Sequence, residues 1–321
     1  MTTKKIIIVL GMHRSGTSAL TRGLSTMGVT LGDSLHPAGP DNPTGFWEDS
    51  DVIAINNQLL GLLGSAHDRM GVIDANLFDI PEVQQIYETT KALVTQKTAS
   101  TLIWGMKDPR ITRLLPFWKK LLNELGFEVG YAIALRNPLN VAASLAVRNQ
   151  IEPTKSYMLW LEHMLQAVAY TQAEKRLVVG YDDLLNDPQK QLQRISIALD
   201  LKAPTQEKFE AYAEEFLDKG LRHGQHNDDE LLASDIEPPL LVKAYQLLRQ
   251  CAVDQLNINS VEFDEQLAPL MSTLRRMLPM LQLVSKSEAA TISANEGIVA
   301  RDRQIEAMQT QINHLTPALG K

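Results

Sequence analysis

Cysteine is nearly absent: Cys251 stands alone in 321 residues, which excludes an intramolecular disulfide framework and any structural zinc site built on several thiolates. Long apolar runs are missing too. None reaches the roughly eighteen residues that a bilayer span requires, and the first apolar stretch, Ile6 to Leu10, is far shorter. Gly11-Met12-His13-Arg14 follow that stretch where a small-residue cleavage site would have to lie, so no secretory leader is expected. Nor is there an excess of basic charge. Lys and Arg number 31 against 38 Asp and Glu, a net charge of −7, whereas a general nucleic-acid binder needs surplus cations to displace phosphate counterions. These absences read together as a cytoplasmic chain with no transmembrane segment and no nucleic-acid partner. What is present, 44% hydrophobic against 21% charged residues, excludes disorder as a global description and supplies one large core or two smaller ones.

Four short runs are apolar throughout: Lys5 to Leu10, Leu102 to Met106, Val129 to Leu135 and Leu177 to Tyr181. That pattern predicts strands covered on both faces. Between them, helical spacing predicts Gly16 to Met27, Asp51 to Leu63, Pro81 to Thr95, Arg113 to Leu125 and Pro138 to Asn149. The alternation implies βαβ crossovers and an α/β fold of three layers, α/β/α, around a central, mainly parallel sheet. From Pro153 onward helix dominates, over Tyr157 to Gln172, Pro188 to Leu199, Glu207 to Leu217 and Leu240 to Cys251, with the acidic stretch Gly224 to Pro239 as a solvated loop. Phe263 to Val284 reads as a helix breaking near Pro279, and Ser285 to Glu296 as a linker. Beyond it Ile298, Ile305 and Ile312 recur every seven residues, with Met308 and Leu315 at the complementary position and Arg301 interrupting. Such a helical extension is either a short coiled coil, giving self-association, or an amphipathic tail laid on the body. The expected division is a domain over residues 1–285 and an extension over 286–321.

The densest local signal is Ile6-Ile7-Ile8-Val9-Leu10-Gly11-Met12-His13-Arg14-Ser15-Gly16-Thr17-Ser18: an apolar strand, a tight glycine loop, then a helix. Gly11 and Gly16 let successive N–H groups turn into one cavity, and the helix start adds its positive end, so the loop suits a phosphate-like anion. Thr17 and Ser18 bring hydroxyl donors. The spacing matches a nucleoside triphosphate loop, but Thr17 stands where that loop needs Lys. With its cation at Arg14, before the second glycine, the loop suits a terminal diphosphate-like group better than a magnesium-bound triphosphate.

Arg14-Ser15-Gly16-Thr17-Ser18 after a strand resembles the 5′-phosphosulfate loop of sulfotransferases that use 3′-phosphoadenosine-5′-phosphosulfate (PAPS). A second segment, Ala134-Leu135-Arg136-Asn137-Pro138 with Ser144 eight residues after the arginine, resembles the family's 3′-phosphate motif. Pro138 would open a helix at its first turn and Ser144 would lie about two turns in, bringing a guanidinium and a hydroxyl toward one phosphate. Val178-Val179-Gly180-Tyr181-Asp182-Asp183-Leu184-Leu185 is similar to a strand-end motif of the family. Trp104-Gly105-Met106-Lys107-Asp108-Pro109-Arg110 resembles the Lys-Asp-Pro segment of its carbohydrate and tyrosylprotein branches. The resemblance covers roughly residues 5 to 225. Arg14 agrees with those branches and with bacterial relatives, whose base is commonly a Glu; cytosolic small-molecule members carry Lys there and a His base that has no match in this chain.

The resemblance implies transfer of a sulfuryl group from PAPS to an acceptor hydroxyl, with no metal required. Arg14, Ser15, Gly16, Thr17 and Ser18 would hold the 5′ end of the donor and Arg136 and Ser144 its 3′-phosphate, while Tyr181 and Arg222, the latter beside His223, would contact the nucleotide. Arg14 and Lys107 are the candidate cations at the sulfuryl and bridging oxygens; the alternative for Lys107 is a structural salt bridge with Asp108. For the base, Asn42-Pro43-Thr44-Gly45-Phe46-Trp47-Glu48-Asp49 sets an aromatic pair beside two carboxylates, and Glu48 is the choice. Its alternative role is to favour a helix N-terminus together with Asp49. His36 is the rival base. The acceptor implied is a saccharide or glycolipid hydroxyl first, tyrosine or a small alcohol second. Rival classes are a P-loop kinase or other nucleotide-binding phosphotransferase, and a catalytically silent scaffold of the same fold.

Overall fold

The structure is a computed structural model and describes residues 4–39, 42, 45–215, 226–234, 236 and 238–315. Two compact units divide the chain, Met1–Arg276 and Met277–Lys321. The first begins with β1 (Lys5–Leu10), α1 (Thr17–Thr26), α2 (Ser50–Leu62), α3 (Pro81–Lys97), β2 (Ile103–Lys107), α4 (Leu115–Glu124) and β3 (Glu128–Leu135). It continues through α5 (Pro138–Asn149), α6 (Pro153–Tyr170), β4 (Lys175–Gly180), α7 (Tyr181–Asn186), α8 (Pro188–Ala198), α9 (Gln206–Glu215), α10 (Asp228–Leu232) and α11 (Leu240–Ala252). The last helix, α12 (Val261–Leu315), runs from the first unit through the described part of the second.

All three strand pairings are parallel and the sheet order is β2-β1-β3-β4. Alternation along the strands sorts side chains to two covered faces. On one, Ile7 and Val9 of β1, Ala132 and Ala134 of β3 and Leu177 and Val179 of β4 meet Leu20 and Leu24 of α1, Leu192 and Ile195 of α8 and Tyr212 of α9. On the other, Arg176 of β4 donates to Val168 O of α6 and, at 2.8 Å, to Ile258 O, while α11 packs across β3 and β4. The expected three layers and parallel sheet are therefore present, and the buried strand residues explain why each run was apolar throughout.

Helix starts follow the local chemistry. Asn137 caps α5 by accepting from Leu139 N at 2.9 Å, with Pro138 in the first helical position, where its missing N–H costs nothing. Asp49 caps α2 through Asp51 N at 3.0 Å and Val52 N at 3.3 Å. Three expectations are corrected. Residues 113–114 belong to a 3-10 turn, Pro109–Leu114, before α4. The stretch read as a loop after Gly224 carries α10, capped by Asn227. Neither Pro279 nor the segment 285–296 interrupts α12: that segment has no Gly or Pro and several good helix formers, and the proline removes one N–H donor from a long helix. Ile298, Ile305 and Met308 are each about half exposed on this helix. Among the described residues, no helix is long and apolar enough to cross a membrane.

Candidate active site

The chain turns to opposite faces of the sheet after β1 and after β3, which are neighbours, so a crevice opens at their carboxyl ends. The loop from Gly11 to Gly16 fills its mouth. Gly11 has φ 138° and a Cβ there would stand 2.8 Å from Ala134 O; Gly16 has φ 83° and a Cβ there would collide with the Tyr181 ring. Both positions thus require glycine. The Ser15 hydroxyl is fully buried with no hydrogen-bond partner in the protein, in the loop whose helix presents unsatisfied first-turn N–H groups.

Arginines from both strand ends meet over this loop. Arg136 donates from Nη1 to Arg14 O at 2.8 Å, and Arg14 donates from Nε to Ser144 Oγ at 2.8 Å. Beneath them the Arg136 guanidinium carbon lies 4.7 Å from the centre of the Tyr181 ring, a cation–π contact. Trp160 Nε1 holds the Arg136 carbonyl at 3.1 Å. Arg14, Ser15, Gly16, Arg136, Ser144 and Tyr181 therefore form one cluster from residues up to 167 positions apart in the chain. Within it Ser144 is bonded by Arg14, so the hydroxyl expected beside Arg136 also touches the cation of the glycine loop. Tyr181 opens α7 and packs on Gly16. Arg222 and His223 lie outside the described residues.

Lys107, the last residue of β2, completes the site from the other side of β1. Its Nζ donates to Glu48 Oε1 at 2.6 Å, Phe46 O at 2.9 Å and Ser18 Oγ at 3.2 Å. The pair is buried, with side chains 3% and 11% exposed. Glu48 thus faces an ammonium, with Arg110 Nη1 3.9 Å from its second oxygen, and the shielding aromatic pair is split. Phe46 shares a cavity wall with Glu48, whereas Trp47 packs on the core and under Arg22, 5.5 Å from the ring centre. The helix-capping role falls to Asp49 alone. Asp108 does not pair with Lys107: its oxygens accept from Asn56 Nδ2 at 2.8 Å and Arg110 Nη1 at 2.9 Å.

A cavity of about 340 Å³ opens beside this ion pair, lined by Met12, His13, His36, Phe46, Glu48 and Arg110 among others. His36 lies tilted against Phe46, 5.2 Å between ring centres, so the rival base shares the chamber. His13 and Arg110 were not singled out as site residues, although both lie inside quoted motifs; a sequence gives no sign of which way a loop side chain turns. Burial, then His163, His67, Arg110 and Lys107, hold the His13 imidazole well below its ordinary range. Behind it on α6, burial takes His163 down to about 3 and Glu162 up to about 7. Among the described residues, one carboxylate cluster is tight enough to share a cation, Asp33, Asp49 and Asp51. The Lys97 ammonium already stands among the three, at 2.6, 2.8 and 2.7 Å.

No family model and no curated protein matches the chain. Comparison with solved structures returns the sulfotransferase domain of a Synechococcus olefin synthase, 17% identical, spanning 86% of this chain and 96% of that one, with a TM-score of 0.41. The sulfotransferase domain of the curacin biosynthetic pathway is 15% identical over 84% of this chain and 99% of its own, at 0.39. A Mycobacterium tuberculosis sulfotransferase is 15% identical over 76% of each chain, at 0.40.

Proposed function

We propose that the chain is a sulfotransferase that moves a sulfuryl group from PAPS to an acceptor hydroxyl. The observation that carries this reading is the convergence of Arg14, Ser144 and Arg136 on a glycine loop that buries an unpartnered Ser15 hydroxyl, with the Lys107–Glu48 pair beside it. The orphaned hydroxyl and the glycine cradle fit an anionic donor: Ser15, Gly16, Thr17 and Ser18 would hold its 5′ end, Arg136 and Ser144 its 3′-phosphate, and Tyr181 and Arg222 the nucleotide. In the reaction the acceptor oxygen bonds to sulfur as the bond from sulfur to the bridging phosphate oxygen breaks. Glu48 takes the hydroxyl proton, and Arg14 and Lys107 neutralise charge on the sulfuryl and leaving oxygens. Lys107 shifts toward that charge as Glu48 is protonated and releases it. The acceptor is a saccharide or glycolipid hydroxyl first and tyrosine or a small alcohol second, since the Lys107-Asp108-Pro109 segment resembles both the carbohydrate and the tyrosylprotein branches.

A phosphotransferase reading is weaker on two observations. Thr17 takes the place of the loop lysine, and Asp108, at the end of β2, spends both oxygens on Asn56 and Arg110. A thermal-shift comparison tests the choice. Adenosine 3′,5′-bisphosphate is expected to raise the melting temperature while ATP with magnesium leaves it within a degree or so, by simple mass action on the folded state. The reverse pattern would sink the sulfotransferase reading. The half-exposed stripe of Ile298, Ile305 and Met308 on α12 is, on the same footing, a surface for self-association.

A further inference from the structure

Two buried polar groups in the cavity wall are left without a task by the reading above. Arg110 bonds Asp108 through Nη1, yet its Nε–H is buried with no acceptor in the protein. His13 is half-buried in the loop after β1, its ring edge-on to His67 at 5.5 Å and to His163 at 6.3 Å, and its buried Nε2 also lacks a partner. A buried N–H or ring nitrogen with no partner costs free energy, which an oxygen of a bound molecule reaching it would recover. Held neutral by its surroundings, His13 brings no charge.

The charges around the cavity balance. Lys107 faces Glu48, Arg110 faces Asp108, and Arg148 and Asp68 add one of each sign. An acidic acceptor would therefore find no surplus cation. A guanidinium N–H that must donate and an imidazole nitrogen able to accept ask for one group that does both, which a hydroxyl can and a carboxylate cannot. Arg110 Nη1 lies 3.9 Å from Glu48 Oε2, so an oxygen read by Arg110 would sit next to the one that Glu48 deprotonates. Met12, Ile53, Leu145 and Ile151 supply apolar wall for the carbon frame, and about 340 Å³ is at the small end of ligand sites.

Resting on the sulfotransferase reading, we propose that the cavity takes a small neutral 1,2-diol, the arrangement a sugar ring repeats, with the reacting hydroxyl at Glu48 and its neighbour read by Arg110 and His13. Ligand-observed NMR titration of the full chain, with and without adenosine 3′,5′-bisphosphate, would compare trans-cyclohexane-1,2-diol, cyclohexanol and trans-2-hydroxycyclohexanecarboxylate. The diol is expected to bind at least about tenfold more tightly than either, an increment of the size two satisfied buried hydrogen bonds give. Arg110→Gln and His13→Phe should each bring the diol within about threefold of cyclohexanol, while His13→Gln, which keeps a polar atom near Nε2, should retain most of the preference. Circular dichroism of each variant separates loss of fold from loss of recognition, and the wild-type comparison stands without them. Equal binding of diol and cyclohexanol, no binding of the diol, or tighter binding of the acid would overturn the proposal. A chain that prefers the diol but ignores the bisphosphate would keep the diol site and lose the donor assignment; bisphosphate binding without the diol preference would do the opposite.

Discussion

Replacing Lys107 by Met tests the buried ion pair at the centre of the site. The substitution keeps most of the side-chain volume but removes three hydrogen bonds, to Glu48 Oε1, Phe46 O and Ser18 Oγ, and strands a carboxylate whose side chain is 11% exposed. Breaking one side of a buried pair costs about 3–5 kcal/mol. Arg110 at 3.9 Å from the other oxygen offsets part of this, so the lower end, about 3 kcal/mol, is expected. In a domain of this size that corresponds to a fall of roughly 6–12 °C in melting temperature. Lys107→Met with Glu48→Leu removes both charges and should cost clearly less than Lys107→Met alone, giving a coupling of about 2 kcal/mol in a double-mutant cycle. Urea unfolding followed by circular dichroism supplies the four stabilities. A Lys107→Met protein within about 1 kcal/mol of wild type, or a double variant whose loss is the sum of the singles, would refute the description of this pair as a mutually dependent buried unit.

Glu48→Gln keeps the size of the side chain but cannot accept a proton, so kcat should fall about a hundredfold or more with bisphosphate affinity little changed; activity within a few-fold of wild type would move the search for the base to His36. Arg136→Ala should weaken adenosine 3′,5′-bisphosphate binding about ten- to a hundredfold by calorimetry, the worth of a charge-assisted contact of about 1.5–3 kcal/mol, and unchanged affinity would take Arg136 out of the donor site. Glu162 carries a pH signature. Burial raises its folded value to about 7 from 4.5, so the folded state binds the extra proton between those limits and stability from this group falls as pH rises through that window. The neutral-held His13 and His163 act in the opposite sense, so the measurement is the difference between wild type and Glu162→Gln across pH 4 to 8. The variant should lose a decline of up to about 3 kcal/mol, and parallel curves would contradict it. Truncation after Ser285 should leave bisphosphate binding intact and lower the assembled mass in light scattering if the stripe on α12 joins two copies; equal masses across a wide concentration range would count against self-association.

The sheet was legible because its strands are buried on both faces, which leaves an uninterrupted apolar run at β1, β2, β3 and β4 and allows little else. Proline and Asn or Asp at helix starts fixed several boundaries, as at Pro138 and Pro188. Elsewhere the apolar pattern is too thin to mark an element: α12 continues through 285–296 with most residues exposed, and α10 lies in an acidic stretch around one buried side chain, Leu231. The same division applies to the site. Arg14, Arg136 and Ser144 announce themselves by their spacing from strand ends, because the backbone carries them there. That Lys107 turns to Glu48 across 59 residues, that Ser144 bonds Arg14, and that Phe46 and Trp47 part company are side-chain choices made by tertiary packing, which a linear sequence does not encode in any local pattern.

The crevice between β1 and β3 also divides the site by how firmly its parts are held. Groups assigned to the donor leave strand ends that are locked by parallel pairing and tied to one another through Arg136 and Arg14, so a change in one is felt by the sheet itself. Just under half of the cavity lining comes from a single excursion between α1 and α3, which contributes His36, Phe46, Glu48 and His67 among others. That excursion is anchored back to the body at a few places: Lys107 on Glu48, Lys97 on Asp33 and Asp49, and Arg113 on Ala66 O and Gly71 O. Substitutions placed between those anchors would reshape that part of the cavity lining without touching the Arg14, Arg136 and Ser144 cluster on the other side of the loop.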